Sequence, residues 1–214
     1  MPDSFISLTP SDLEVPQVYD ILVAGIQPRP IAFISTKSAA GVANLAPYSF
    51  FIAGGANPPS IVYSPTLGKA GSKKHSLLNV EETGEFVVNA VTREMAESMK
   101  GYGATPPDTY DEWKMCGFTP IPSEIVAPAR VAESPVQFEC RLFALLQHGS
   151  NPSSACYVVG EVVKIHIQES VWDGYSIDPL RFRPISRMGG ANYLDTNSLE
   201  LFLLENPSEN TKPS

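Results

Sequence analysis

The sequence is short of most features that mark a catalytic, membrane or nucleic-acid-binding chain. Of its 214 residues three are cysteine, Cys116, Cys140 and Cys156, and three are histidine, His75, His148 and His166. The cysteines are widely spaced, odd in number and contain no C-x-x-C pair, which argues against a disulfide framework and against a zinc site. They read as small buried side chains. No apolar run reaches the ~18 residues of a membrane span, and Met1 to Phe5 lack a basic region followed by an apolar one. A reducing cytoplasm is the expected compartment. There is no G-x-G-x-x-G after the first strand and no Walker loop, so no dinucleotide-binding doubly wound sheet is indicated. Positive charge is scarce as well: 15 basic against 23 acidic residues leave a net charge of -8. Such a balance argues against nucleic acid and anionic membranes as partners, both of which call for clustered Lys and Arg.

What is present is a globular composition, 43% apolar and 18% charged, with 20 prolines against 15 glycines. Proline-rich connections suit a sheet protein better than a helical bundle. The reading is one domain over residues 1–214, with a leading helical segment 1–25 and a frayed tail from about 206. Strands are expected at 29–36, 48–53, 60–64, 85–91, 136–146 and 155–167, with a turn at 38–44 and Gly54-Gly55 ending the second strand. The strand at 136–146 alternates Phe138, Cys140 and Leu142 against Gln137, Glu139 and Arg141, a period of two. Gly160 falls at a bend or bulge. Helices are expected at 76–82, stopped by Gly84, at 92–101, and at 111–116. The fold class is mainly β: an antiparallel barrel with a few peripheral helices.

The chemistry concentrates around Gly71-Ser72-Lys73-Lys74-His75-Ser76. Two lysines, a histidine and two hydroxyls stand at a helix start inside an acidic chain. A helix N-terminus offers unpaired N–H groups and partial positive charge, so this is a candidate phosphate seat. Upstream, Asn44-Leu45-Ala46-Pro47-Tyr48-Ser49-Phe50-Phe51 packs small, polar and aromatic residues together, as the wall of a planar heteroaromatic ligand requires. Arg29, held between Pro28 and Pro30, is either a positioned phosphate ligand or a salt-bridge partner at a strand start. Asn89, in an apolar strand, is a buried amide that needs backbone or ligand partners. His148 reads as a loop residue and His166 as lying on a solvent or interface face. No Ser-His-Asp or Cys-His pattern stands out, and no metal site or catalytic side chain is indicated.

The order of these motifs resembles the flavin reductase-like family. Pro28-Arg29-Pro30-Ile31-Ala32 is followed by Asn44 to Phe51, Asn57-Pro58-Pro59, Lys74-His75-Ser76 with Asn79, and Gly84 to Asn89. The likeness runs on through Pro128 to Pro135 and Gly160-Glu161-Val162-Val163 to Arg187-Met188-Gly189-Gly190-Ala191-Asn192-Tyr193. The resemblance implies a split β-barrel that binds FMN. It implies that Asn44, Ala46, Pro47, Tyr48, Ser49 and Phe50 line the ring and ribityl chain, and that Lys74 and Ser76, with help from Arg29, hold the phosphate. By the same resemblance Ser64 and Asn89 touch the ribityl chain or ring edge, while Arg187 and Tyr193 close the site. It also implies NAD(P)H as a diffusible donor, a homodimer with FMN at the subunit interface, and a monooxygenase or redox protein as partner. Two alternatives remain: an FMN electron carrier that binds no nicotinamide, and a split barrel holding another phosphorylated ring such as pyridoxal phosphate. The chain departs from the family pattern at His75, where Asp is usual.

Overall fold

The computed structural model describes residues 4–99 and 112–196. Helix α1 (Val15–Gly25) leads into β1 (Arg29–Pro30), β2 (Ala32–Lys37), β3 (Ala43–Tyr48), β4 (Phe51–Ala56) and β5 (Pro59–Tyr63). Then follow α2 (His75–Thr83), β6 (Glu85–Ala90), α3 (Ala96–Met99), α4 (Glu112–Cys116), β7 (Pro120–Ile121) and β8 (Arg130–Val131). The long strands β9 (Val136–His148) and β10 (Ala155–Ile167) precede α5 (Pro179–Phe182), β11 (Ile185–Arg187) and β12 (Tyr193–Asp195).

Seven strands form one antiparallel sheet in the order β3-β2-β6-β9-β10-β5-β4. Its two outer strands, β3 and β4, are consecutive in the chain and joined only by Ser49 and Phe50, so the sheet has to curl to bring its ends together. Ala46 and Tyr48 of β3 share one core with Ile61 and Tyr63 of β5, packed around Phe86, Val88, Leu77 and Val80. No ladder joins β3 to β4, so the described sheet is curled but not closed. Helix α2 covers this core with Leu77 and Val80 and ends where Gly84 takes φ 70, a left-handed conformation that glycine adopts without cost. A second core lies on the other face of β2 and β3, where Phe33 and Leu45 meet Met95, Trp113, Phe118, Val131 and Ile185. Both faces of β2 are therefore buried, which explains its continuous apolar run. A separate three-stranded sheet, β1-β11-β12, carries the C-terminal described segment.

Several expectations need correction. Residues 43–48 form β3, where a turn through Asn44 was expected; Pro47 is tolerated because β3 is an edge strand with a ladder on one side only. Strand β4 starts at Phe51 and continues through Gly54-Gly55 to Ala56, with a register shift between Ala53 and Ala56. The expected single strand at 29–36 is broken at Ile31 into β1 and β2, which belong to different sheets. The helix expected from 92 starts only at Ala96, because Thr92 forms an isolated bridge with Pro184; it is described through Met99, and Lys100, Gly101, Asp111 and the tail from 206 lie outside the described residues. On the polar side of β9 Gln137 and Glu139 are buried, whereas Arg141 is exposed. His166, expected on a solvent or interface face, is half-buried, with Nε2 2.7 Å from Glu139 Oε1. His148 is exposed and ends β9 instead of lying in a loop. The bulge at Gly160 is present, and a Cβ there would stand 2.3 Å from Phe86 Cζ. All three cysteines are buried and free.

Candidate functional site

The N-terminus of α2 meets the end of β3 at one place. Lys74 is the N-cap residue, and no side chain caps the helix. Ser76, in the first turn, is buried, and its Oγ lies 2.5 Å from Tyr48 Oη. Burial pushes the Tyr48 hydroxyl up to about 12, with the Ser76 hydrogen bond opposing and the Glu112 charge adding to the rise. Tyr48 therefore stays protonated and holds the Ser76 hydroxyl in place. The Lys74 ammonium lies 5.3 Å from the Tyr48 ring centre, a cation–π distance. Desolvation there lowers its pKa from the ordinary lysine value. Among the described residues no carboxylate pairs with Lys74, whereas its neighbour Lys73 is taken by Glu81 at 2.5 Å.

Ser64 adds a second signal. It follows β5, its N–H donates to Phe50 O at 2.8 Å, and its buried Oγ has no hydrogen-bond partner. A buried hydroxyl without a partner is costly, and a ligand oxygen would satisfy it. Phe50 and Ser49 are half-buried, and the Phe50 ring meets Tyr19 of α1 edge-on at 6.2 Å. Ala46 is buried and Pro47 half-buried on β3. At the far end of β3, Asn44 Nδ2 donates to Glu112 Oε1 at 2.6 Å, and Asn44 Oδ1 is buried without a partner. A cation without an acid, a helix start without a cap and an unpartnered hydroxyl fit a phosphate-bearing group.

The other sequence-predicted residues lie elsewhere. Asn89 is buried in β6, donating to Phe33 O at 3.0 Å and accepting from the Val131 N–H at 2.9 Å. These two backbone partners account for the buried amide without a ligand. The Arg29 guanidinium is committed to three carbonyls: Val23, Ile26 at 2.6 Å and Met188 at 2.8 Å. It neutralises the carbonyl end of α1 and ties that helix to the segment after β11. Arg187 and Tyr193 stand opposite one another on β11 and β12, with the guanidinium 4.5 Å from the ring centre. Three contacts were not readable from spacing: the Tyr48–Ser76 pair, the Asn44–Glu112 pair and the burial of Glu139. Each joins residues 27 or more positions apart, or depends on a segment that covers a strand face.

The sequence matches the flavin reductase like domain over residues 25–182, and the chain belongs to that family. Its structure is similar to nitrilotriacetate monooxygenase component B from Bacillus cereus, with 32% identity and a TM-score of 0.88 over 94% of this chain and 100% of that one. It is also similar to the 2-nitrobenzoate 2-nitroreductase NbaA of Pseudomonas fluorescens, with 28% identity and a TM-score of 0.83 over 98% and 100% of the two chains. A Shewanella frigidimarina protein with a split barrel domain shares the fold at 20% identity and a TM-score of 0.77, over 91% and 96%. The chain is thus a mainly β member of a flavin-related oxidoreductase family. No described helix is long and apolar enough to cross a membrane.

Proposed function

We propose that the protein is an FMN-dependent oxidoreductase, an NAD(P)H:flavin reductase whose whole chain forms one flavin-binding unit. The observation that carries this reading is the α2 start, where Lys74 has no acidic partner among the described residues; Ser64 Oγ, just after β5, is likewise buried without a hydrogen-bond partner. Lys74, Ser76 and the first N–H groups of α2 hold the phosphate, and Ser64 supplies a further hydroxyl. Tyr48 orients Ser76. Asn44, Ala46, Pro47, Ser49 and Phe50 form the wall along the ring and keep water from it. Bound FMN supplies the redox chemistry by accepting hydride from a nicotinamide, so no side-chain acid, base or nucleophile is needed.

A homodimer fits the surface. Val15, Tyr19, Leu22 and Ile26 form an exposed apolar stripe on and just after α1, at spacings of 4, 3 and 4, and Tyr19 adjoins Phe50. Component B of nitrilotriacetate monooxygenase, the Bacillus cereus relative, suggests a monooxygenase or other redox protein as partner. The three free, buried thiols suit a reducing cytoplasm.

Anaerobic titration of the FMN-loaded protein with NADH and with NADPH tests the reading. Bleaching of the oxidised flavin band by either nucleotide supports it. Bleaching only by a reduced protein donor identifies an electron carrier. Binding of pyridoxal phosphate in preference to FMN identifies the third alternative.

A further inference from the structure

Residues 4–9, Ser4-Phe5-Ile6-Ser7-Leu8-Thr9, lead into the first helical turn and belong to no helix or strand. Phe5 is 98% exposed, Ile6 86% and Leu8 54%. No hydrogen bond ties residues 4–8 to the rest of the described chain. Three large apolar side chains standing together in water mark a contact surface rather than scatter. This arm carries no charge, although the whole chain carries -8. It runs toward α1, whose exposed Val15, Tyr19 and Leu22 continue the apolar surface.

Strand β4 offers the matching half. It pairs with β5 alone, so its other edge is unpaired, and residues 52–56 are exposed. Free edges are commonly guarded by charges or proline. Phe51–Ala56 has neither; a register shift between Ala53 and Ala56 is the one irregularity. Beside this edge lies a cavity of about 450 Å³. Phe51, Ala53 and Gly55 line it on the β4 side, and Pro30, Ile31 and Ile185 on the side of the small sheet. None of its lining residues is charged, and Ser60 and Ser186 are its polar side chains. An unpaired edge next to an apolar cavity is the arrangement that binds an extended peptide by strand addition: the backbone pairs with the edge and alternate side chains enter the pocket. In an extended arm Ile6 and Leu8 fall on one side, and Phe5 and Ser7 on the other. The arm and β4 each have six residues, about 20 Å of strand.

We propose that the β4 edge and its cavity take residues 4–9 of a second copy of this chain. The arm adds a strand to the edge, and Ile6 and Leu8 enter the cavity. Charge selects this occupant: two molecules of net charge -8 repel, so copies meet where neither brings charge, and arm, edge and cavity all bring none. Within one chain the arm forms no ladder with β4. The proposal rests on the homodimer reading above only for the presence of a second copy, and the test separates the two.

Hydrogen exchange of residues 51–56, read by mass spectrometry alongside sedimentation velocity, tests it on the full chain. The variants are I6D/L8D, with a spoiled arm, and G55D, with a spoiled edge. A Cβ at Gly55 would come no nearer than 3.8 Å to Ser60 Oγ, so the aspartate has room. The expected result is exchange about tenfold or more faster in I6D/L8D than in the wild-type dimer, with dimer affinity weakened about tenfold or more. An equimolar mixture of the two variants, exchanged at low concentration and reconcentrated, is decisive. The sound arm of the G55D chain meets the sound edge of the I6D/L8D chain, and slow exchange returns to that edge, which differs in mass from its G55D counterpart. Equal exchange in wild type and I6D/L8D overturns the proposal. Slow exchange in a monomeric wild type, or no recovery in the mixture, overturns it in favour of an arm on its own edge. A dimer that persists in I6D/L8D with unaltered exchange keeps the homodimer reading and defeats the arm pairing; a wild type that is monomeric throughout defeats both. Circular dichroism checks folding, and Ala53→Asp replaces G55D should that variant not fold.

Discussion

Two places in this molecule gather hydrogen-bond donors, and they differ in whether the described chain brings a carboxylate to them. In the segment between β7 and β8 three consecutive backbone N–H groups, from Glu124, Ile125 and Val126, converge on the Glu139 carboxylate at 2.8, 2.7 and 3.1 Å. His166 contacts the same carboxylate at 2.7 Å. At the start of α2 the donors are again present, with a lysine and a hydroxyl, but no carboxylate of the described chain enters. The first arrangement is complete within the protein and pins a loop over β9. The second has no counter-charge among the described residues, and that difference is the ground on which we propose it as a ligand seat. Donor geometry alone does not separate structure from function; what separates them is whether the chain provides its own counter-charge.

The Glu139 side should respond most strongly in stability. Burial pushes the Glu139 carboxyl up, but hydrogen bonds from the Glu124 N–H, His166 and the Ile125 and Val126 N–H groups outweigh it and hold the pKa below the ordinary value. Replacing Glu139 by Gln removes the charge and turns an amide group toward N–H donors, and should cost about 2–3 kcal/mol in denaturant unfolding at neutral pH. A group whose folded pKa is depressed stabilises above its unfolded pKa, and that contribution is lost as pH falls through the folded value. The gap between wild type and E139Q should therefore close on acidification below the usual carboxylate range. A gap independent of pH would break the comparison.

His166→Gln is the next largest change. Removing one donor from Glu139 while the three backbone N–H groups remain should cost about 1 kcal/mol. The α2 side should behave in the opposite way. Lys74 is desolvated without an internal counter-charge, so Lys74→Ala should alter stability by no more than about 0.5 kcal/mol, in either direction. A loss as large as that of E139Q would mean that Lys74 is part of the scaffold and would erase the contrast.

The sequence revealed the helix start at Lys74 more readily than the scaffold around it. Lys74-His75-Ser76 ahead of an apolar-faced helix stopped by Gly84 is a local signal, and α2 runs from His75 to Thr83 as its capping pattern implies. The long strands β9 and β10 were legible from alternation and length, as was the bulge at Gly160. Strand β3 was hidden because Asn44 and Pro47 look like turn residues, and only its edge position makes them acceptable. Period two predicts a solvated face for Gln137 and Glu139, but it cannot register a loop folded over that face. Arg29 between two prolines reads as a presented guanidinium; that it ties the carbonyl end of α1 to Met188, 159 residues away, is a tertiary fact. Asn89 was recognisable as a buried amide, while its partners Phe33 and Val131 belong to distant strands.

The most direct test is an FMN titration, followed by the visible absorbance of the bound flavin, of wild-type protein against the Lys74→Ala, Ser76→Ala double variant, with E139Q as a control. The account predicts saturable binding to the wild type, a loss of about a hundredfold or more in the double variant as two charge-assisted contacts are removed, and wild-type affinity in folded E139Q. Equal affinity in wild type and double variant, or a folded wild type that takes up no FMN, would contradict it.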